Sequence, residues 1–166
     1  MKPSELTATA SDTIGRLGAG LLRSRRLMRA PIWLYRARLG FLFGHRLLLL
    51  EHTGRRTGQQ RFTVLEVTGH PSADVYIVAS GFGTRSQWFR NVEANPDVKV
   101  SAGWRSSVPA RARRLSQDEA DAALAAYIER HRRAWDTMKP VIEETLGTEI
   151  TTHDTALPMV ELRLAS

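Results

Sequence analysis

The stretch LLLLEHTGRRTGQQR, Leu47 to Arg61, decides how the chain is read. Four leucines in a row lack polar alternation, so they read as a strand covered on both faces. Gly54 and Gly58 then frame a tight turn that carries Arg55 and Arg56, with Arg61 just beyond it. Such a turn can aim backbone N–H groups at an anion. Its forked guanidinium donors match phosphate or carboxylate geometry. The same spacing also suits an ordinary solvated hairpin.

Outward from this turn, strand-like runs follow one another with turn residues between them. They are residues 46–52, 61–69, 74–81, 97–104, 106–115 and 157–164. Residues 70–73, HPSA, read as a turn, and Pro109 reads as an edge position or a bulge. A short helix is expected from Thr84 to Asn95, stopped by Pro96. A long one is expected from Ser116 to Trp135, with Ser116 as its cap and Asp118 and Glu119 in its positive first turn. A further short helix is expected at Val141–Leu146. Trp88, Trp104 and Trp135 read as core or pocket walls. Six strands without βαβ spacing predict an α+β fold, a split β-barrel of mostly antiparallel strands with flanking helices, because closure removes exposed edges.

The expected organisation is a disordered tail over 1–10, a basic amphipathic helical extension over 11–40 and the barrel domain over 41–166. In the extension, Ile14, Leu17, Leu21 and Met28 fall on one helical face among several arginines. The 166 residues are 42% hydrophobic, enough for one domain with its own core. The net charge is +7. Residues 1–66 hold 12 Lys/Arg against 4 Asp/Glu, and residues 67–166 hold 12 against 13, so the excess lies in the first segments. Nucleic acid, an anionic ligand and a membrane surface all suit that charge. Arginines without interleaved aromatics, and no nucleic-acid module, argue against nucleic acid.

The absence of cysteine excludes disulfides, thiolate metal sites and thiol nucleophiles. It agrees with a cytoplasmic setting. The first ten residues lack the apolar core of a secretory leader, and no run approaches the roughly 20 apolar residues that span a bilayer. The five histidines are scattered, no Gly-x-Ser-x-Gly elbow occurs, and the chain carries no metal-ligand pattern. The turn in VASGFGTRS imitates a dinucleotide fingerprint but has Ser86 at the third glycine, with no βαβ unit around it. What survives is that Ser80, Gly81 and Gly83 let a flat ligand or a phosphate approach the backbone closely.

LLLLEHTGRRTGQQR, then VYIVASGFGTRSQWFRNVEANPDVKV, then the closing LPMVELRL together resemble the deazaflavin (F420)-dependent nitroreductase family. The resemblance covers residues 31–116 and the last strand. It implies a split barrel that binds coenzyme F420, a 5-deazaflavin with a phosphate and a polyglutamate tail, and the three-arginine loop suits that tail better than the single phosphate of FMN. It also implies hydride transfer from the reduced deazaflavin to a quinone, nitro compound or activated alkene. By position, Arg55, Arg56, Thr57, Gly58 and Arg61 match the family's phosphate and tail contacts. Ala79, Ser80, Gly81, Phe82 and Gly83 match the strand end beside the ring, and Trp88 and Asn91 match the following helix.

The chain also departs from that pattern. Gly81 and Phe82 follow the serine where a lysine is common, Glu66 replaces an aromatic, and Arg130 and Arg133 stand at later tyrosine positions. Tyr127 and His131, four residues apart on one helix face, are the candidate proton donors. Two further readings keep the same fold or the same charge. One is a membrane-surface protein that carries a lipid or quinone without fast turnover. The other places the enzyme peripherally on the inner membrane face, through residues 11–38, where it meets a lipophilic substrate.

Overall fold

The computed structural model describes residues 44–165. The expected tail and the basic extension over 11–40 lie outside the described residues. The strands are β1 (Leu47–Thr53), β2 (Gln60–Ser72), β3 (Val75–Ala79), β4 (Asp97–Ala102), β5 (Arg105–Arg114) and β6 (Met159–Leu164). The helices are α1 (Gln87–Ala94), α2 (Gln117–Arg130) and α3 (Arg132–Leu146), with a 3-10 turn at Gly83–Arg85.

All six strands pair antiparallel in a closed barrel of order β1-β2-β3-β6-β5-β4. Closure comes from β1, which pairs with β2 along its whole length and with β4 through Leu49, Leu50 and Glu51. Period-two alternation then sorts side chains by face. Leu48, Leu50, Tyr76, Val78, Val98, Val100, Ala110, Ala112, Val160, Leu162 and Leu164 fill the interior. Trp88, Phe89 and Val92 of α1 join this core, so α1 plugs one mouth of the barrel. A second apolar cluster joins Ile77, Ala79 and Met159, from alternate positions of β3 and β6, to Leu124, Tyr127 and Trp135 of α2 and α3. The unalternating run near the start of β1 is buried at Leu48, Leu49 and Leu50, as a strand covered on both faces requires.

Several details differ from the sequence expectations. The long helix 116–135 is two helices, because His131 leaves helical geometry at φ −131°. The short helix at 141–146 is the end of α3, which accommodates Pro140 internally and closes on Gly147 at φ 72°. β2 runs to Ser72 rather than ending at Gly69, because two register irregularities carry it past Gly69. His70, expected in a turn, is held there by a 2.8 Å bond from its Nδ1 to the Val75 carbonyl and by stacking on Tyr76 at 4.2 Å. Pro109 is at neither an edge nor a bulge. It sits opposite Lys99, and its carbonyl accepts from Ala165. Trp104, expected in the core or a pocket wall, is 86% exposed in the β4–β5 turn, while Trp88 and Trp135 are buried.

At the start of α2, the Ser116 hydroxyl accepts from the Glu119 N–H while the Glu119 carboxylate accepts from the Ser116 N–H, a reciprocal cap. Ser116→Ala removes the hydroxyl half of this cap. It should lower unfolding stability by about 1 kcal/mol in urea titration with the barrel intact.

Candidate functional site

The arginine turn is built by its own backbone. The Gly54 carbonyl accepts from the N–H groups of Thr57 and Gly58, and the Gly54 N–H donates to Gln59. Gly58 sits at φ +66°, a conformation that favours glycine. Gly54 is buried, and a Cβ there would meet the Thr57 hydroxyl at 3.0 Å. Glycine is thus favoured at 58 by the backbone angle and at 54 by close packing.

The turn is fastened to α1 through Arg55. Its backbone N–H and its Nη1 both donate to Asn91 Oδ1, at 3.1 and 3.0 Å, and Nη1 also donates to Gln87 Oε1 at 3.0 Å. Two donors on Oδ1 orient the carboxamide, which leaves Asn91 Nδ2 facing His52 Nδ1 at 3.2 Å. An amide nitrogen only donates, so His52 Nδ1 is the acceptor and the imidazole is neutral with its proton on Nε2. Burial pushes the His52 pKa down to about 4, and the nearby positive charge of Arg61 pushes the same way. His52 and Asn91 are both buried, at 5% exposure each.

Arg56 and Arg61 lie exposed beside this anchor. Arg61 donates to Gln59 at 3.1 Å. Further along, Arg85 donates to the Thr145 carbonyl on α3, and Arg90 of α1 to the Thr84 carbonyl. Among the described residues, none of Arg55, Arg56, Arg61, Arg85 and Arg90 is within ion-pair distance of a carboxylate. By contrast, Arg105, Arg111, Arg113, Arg114 and Arg163 on β5 and β6 each lie 2.7–3.2 Å from one. The turn, with Arg85 and Arg90, therefore presents guanidinium groups without a carboxylate partner among the described residues.

The strand-end turn adjoins it. Ser80 is 1% exposed, and its hydroxyl donates to the Gly83 carbonyl at 2.7 Å, so it closes the turn from within. Gly83 has φ +63°, and a Cβ there would meet Leu146 of α3 at 2.8 Å; one on Gly81 would meet Ile142 at 3.9 Å. Helix α3 thus lies against Gly81 and Gly83, while Phe82 between them is 54% exposed. Ala79 packs into the outer apolar cluster and Trp88 into the barrel core.

Tyr127 and His131 form a separate group. The Tyr127 hydroxyl donates to Glu66 Oε1 at 3.1 Å across the α2–β2 seam. Burial first, and then the Glu66 carboxylate, push its pKa up to about 12. The exposed His131 ring lies 5.1 Å from that of Tyr127. Two clefts, of 260 and 130 Å³, open on either side of Arg114, and neither is lined by a residue of the arginine turn.

Sequence reasoning named the arginines, Asn91 and the glycines as cofactor contacts, and it overlooked His52 and Gln87, which take part in the Arg55 anchor. One signal for His52 was available. It follows Leu48 and Leu50 at period two, so it points inward, where a polar group must find a partner.

A family model described as F420H(2)-dependent quinone reductase matches residues 27–150. A protein of Mycobacterium tuberculosis (strain ATCC 25618 / H37Rv) named an F420H(2)-dependent quinone reductase is 35% identical over 85 residues. That match covers 47% of this chain and 56% of the relative, so the chain spans about half the length of the curated relatives it matches. Among solved structures, an F420-H2 dependent reductase (FDR-A) superposes with a TM-score of 0.51 at 21% identity, over 72% of this chain and 96% of that one. A Clostridium acetobutylicum protein described as related to general stress protein 26, of the pyridoxinephosphate oxidase family, superposes at 0.50 and 7% identity, over 81% and 84%. These superpositions establish the shared barrel fold.

His52 makes stability pH-dependent. The unfolded imidazole, near 6.5, binds its proton before the folded one, near 4. Between these values the unfolded state holds more protons, so stability falls as pH drops from about 6.5 towards 4. In urea titrations across that window, His52→Leu should flatten part of the slope. An unchanged slope would mean that His52 is not buried as a neutral acceptor.

Proposed function

The chain belongs to the F420H(2)-dependent quinone reductase family, and from that premise we propose that it passes a hydride from reduced coenzyme F420 to a small lipophilic acceptor, a quinone first among them. The observation that carries this reading is the set of arginines around residues 55–90 that have no carboxylate partner among the described residues, which suits a cofactor with a phosphate and a polyglutamate tail. A charge-assisted contact is worth about 1.5–3 kcal/mol, and several arginines favour a tail with several carboxylates over the single phosphate of FMN.

When bound, the deazaflavin supplies the hydride, and the protein supplies binding, orientation and electrostatics. Arg56 and Arg61 hold the tail, with Thr57 and Gly58 offering backbone at the turn. Arg55 extends this surface from its anchor on α1. Gly81, Phe82 and Gly83 border the ring, with α3 behind them excluding water from one side. Hydride transfer to a quinone leaves the hydroquinone anion, which takes up one proton. The exposed His131 can draw it from solvent. Delivery from Tyr127 first needs release of its bond to Glu66. Nitro compounds and activated alkenes are the other acceptors this site would reduce.

Fluorescence titration of the purified protein should give tighter binding of F420 than of FMN, with quinone-dependent oxidation of reduced F420 to follow. Equal or tighter binding of FMN would overturn the cofactor assignment. Binding of F420 without turnover would favour a carrier of the same fold. Arg56→Ala should weaken F420 binding about tenfold with thermal unfolding unchanged, since the residue is exposed and bonded to nothing among the described residues.

The basic stripe over residues 11–38 adds a location to this reading: the segment rests on anionic lipid, where a lipophilic quinone is dissolved. Basic side chains near such a surface contribute about 1 kcal/mol each. No described helix is long and apolar enough to cross a membrane, and the attachment proposed for this segment is peripheral. The full chain should sediment with anionic liposomes at low salt and not with neutral ones. Recovery in the supernatant with both would remove the membrane from the account.

A further inference from the structure

We propose that His52, buried inside the barrel, is a positioning residue for anion binding: through Asn91 it sets the direction of Arg55, and with it the shape of the cationic turn. The inference rests on the cofactor reading above and adds a residue that reading does not use. His52 belongs to the inward row of β1, behind Leu48 and Leu50. Its Nδ1 takes the Asn91 amide proton at 3.2 Å, and Asn91 Oδ1 takes both Arg55 donors. The chain of bonds thus runs from the barrel interior to the rim in two steps.

Each bond has one workable direction. If His52 gained a proton on Nδ1, two donors would face each other. Turning the Asn91 amide over would relieve that contact and aim its NH2 at the backbone N–H and guanidinium of Arg55, which are donors too. The turn therefore has its described shape only while His52 offers a lone pair. Gln87 Oε1 is the second acceptor on Arg55 Nη1, but it does not touch the Arg55 backbone. Among the described residues, Asn91 alone binds both the main chain and the side chain of Arg55, so it fixes the position of the turn as well as the direction of the guanidinium. Arg56 follows directly in the chain and moves with it.

The effect should be confined to ligands that use the turn. The titrants are therefore F420 and the same deazaflavin lacking phosphate and tail. His52→Leu deletes the acceptor, and His52→Gln keeps a carbonyl that can take its place. We expect His52→Leu to weaken F420 about tenfold and the tail-less deazaflavin by less than about twofold, with His52→Gln recovering most of the loss. Equal losses for both ligands, or no loss for F420, would overturn the proposal. If the wild-type chain fails to bind F420 at all, the cofactor reading falls, while a second arm still tests the anchor without any ligand. In Asn91→Asp the carboxylate keeps both Arg55 bonds but faces His52 with an acceptor. The His52 imidazole, followed by NMR, should then titrate at a pH higher than in wild type by at least one unit. An unmoved titration would show that Nδ1 does not face residue 91, and the positioning role would be lost. This arm also covers the case in which His52→Leu fails to fold.

Discussion

Pairing of β1 with β4 is the constraint on which the rest of the molecule depends. Leu49, Leu50 and Glu51 against Ser101, Val100 and Lys99 close a six-stranded sheet on itself. Closure leaves no strand edge and gives every strand an inner and an outer row. The inner rows make one core, capped at one mouth by Trp88, Phe89 and Val92. The outer rows of β3 and β6 make a second core with α2 and α3. The arginine turn leaves from β1, the closing strand, and rests on α1, the plug. The rim of the barrel is thereby tied to its interior, and a residue such as His52 can belong to both.

The strands were legible because alternation was preserved where one face is buried. Val98 and Val100 flank the exposed Lys99, and Ala110 and Ala112 flank the exposed Arg111. Helix boundaries were less legible. Apolar periodicity continues across His131, and the break there is a change of backbone angle that leaves no mark in the pattern. The length of β2 was hidden for a related reason, since its register irregularities let the strand pass Gly69, which reads as a terminator. At the site, Gly54 and Gly58 announced the turn and the arginines announced its charge. The partners of Arg55 were hidden, because Gln87 and Asn91 lie more than 30 residues away and meet it only once α1 enters the barrel mouth.

Two groups of arginines are treated in opposite ways. On β5 and β6 the arginines stand beside Asp74, Asp97, Glu93, Glu119 and Glu161 in exposed pairs. Such pairs contribute at most about 1 kcal/mol each, and they mainly cancel charge. Around the turn, the acceptors are carbonyl oxygens of the main chain and of Gln59, Gln87 and Asn91. These neutral acceptors leave the charge of the guanidinium groups in place, while the nearby Glu51 carboxylate is bound to Gln60 at 2.9 Å.

The choice of amides over carboxylates is the step that joins stability to binding. A glutamate at 87 or an aspartate at 91 would hold Arg55 at least as firmly, since charged acceptors make stronger bonds. It would also cancel the positive charge that an anionic ligand needs. A neutral oxygen fixes direction and leaves the charge whole. The amide brings a further demand, because its buried NH2 must be satisfied. A carboxylate in the barrel core would meet that demand with a second negative charge close to the turn, and a backbone carbonyl at that position is already committed to strand pairing. A neutral imidazole meets it without charge. The residues that orient the turn are thus all uncharged while the residues on its surface are cationic, and this division lets the turn be held in place and still attract an anion.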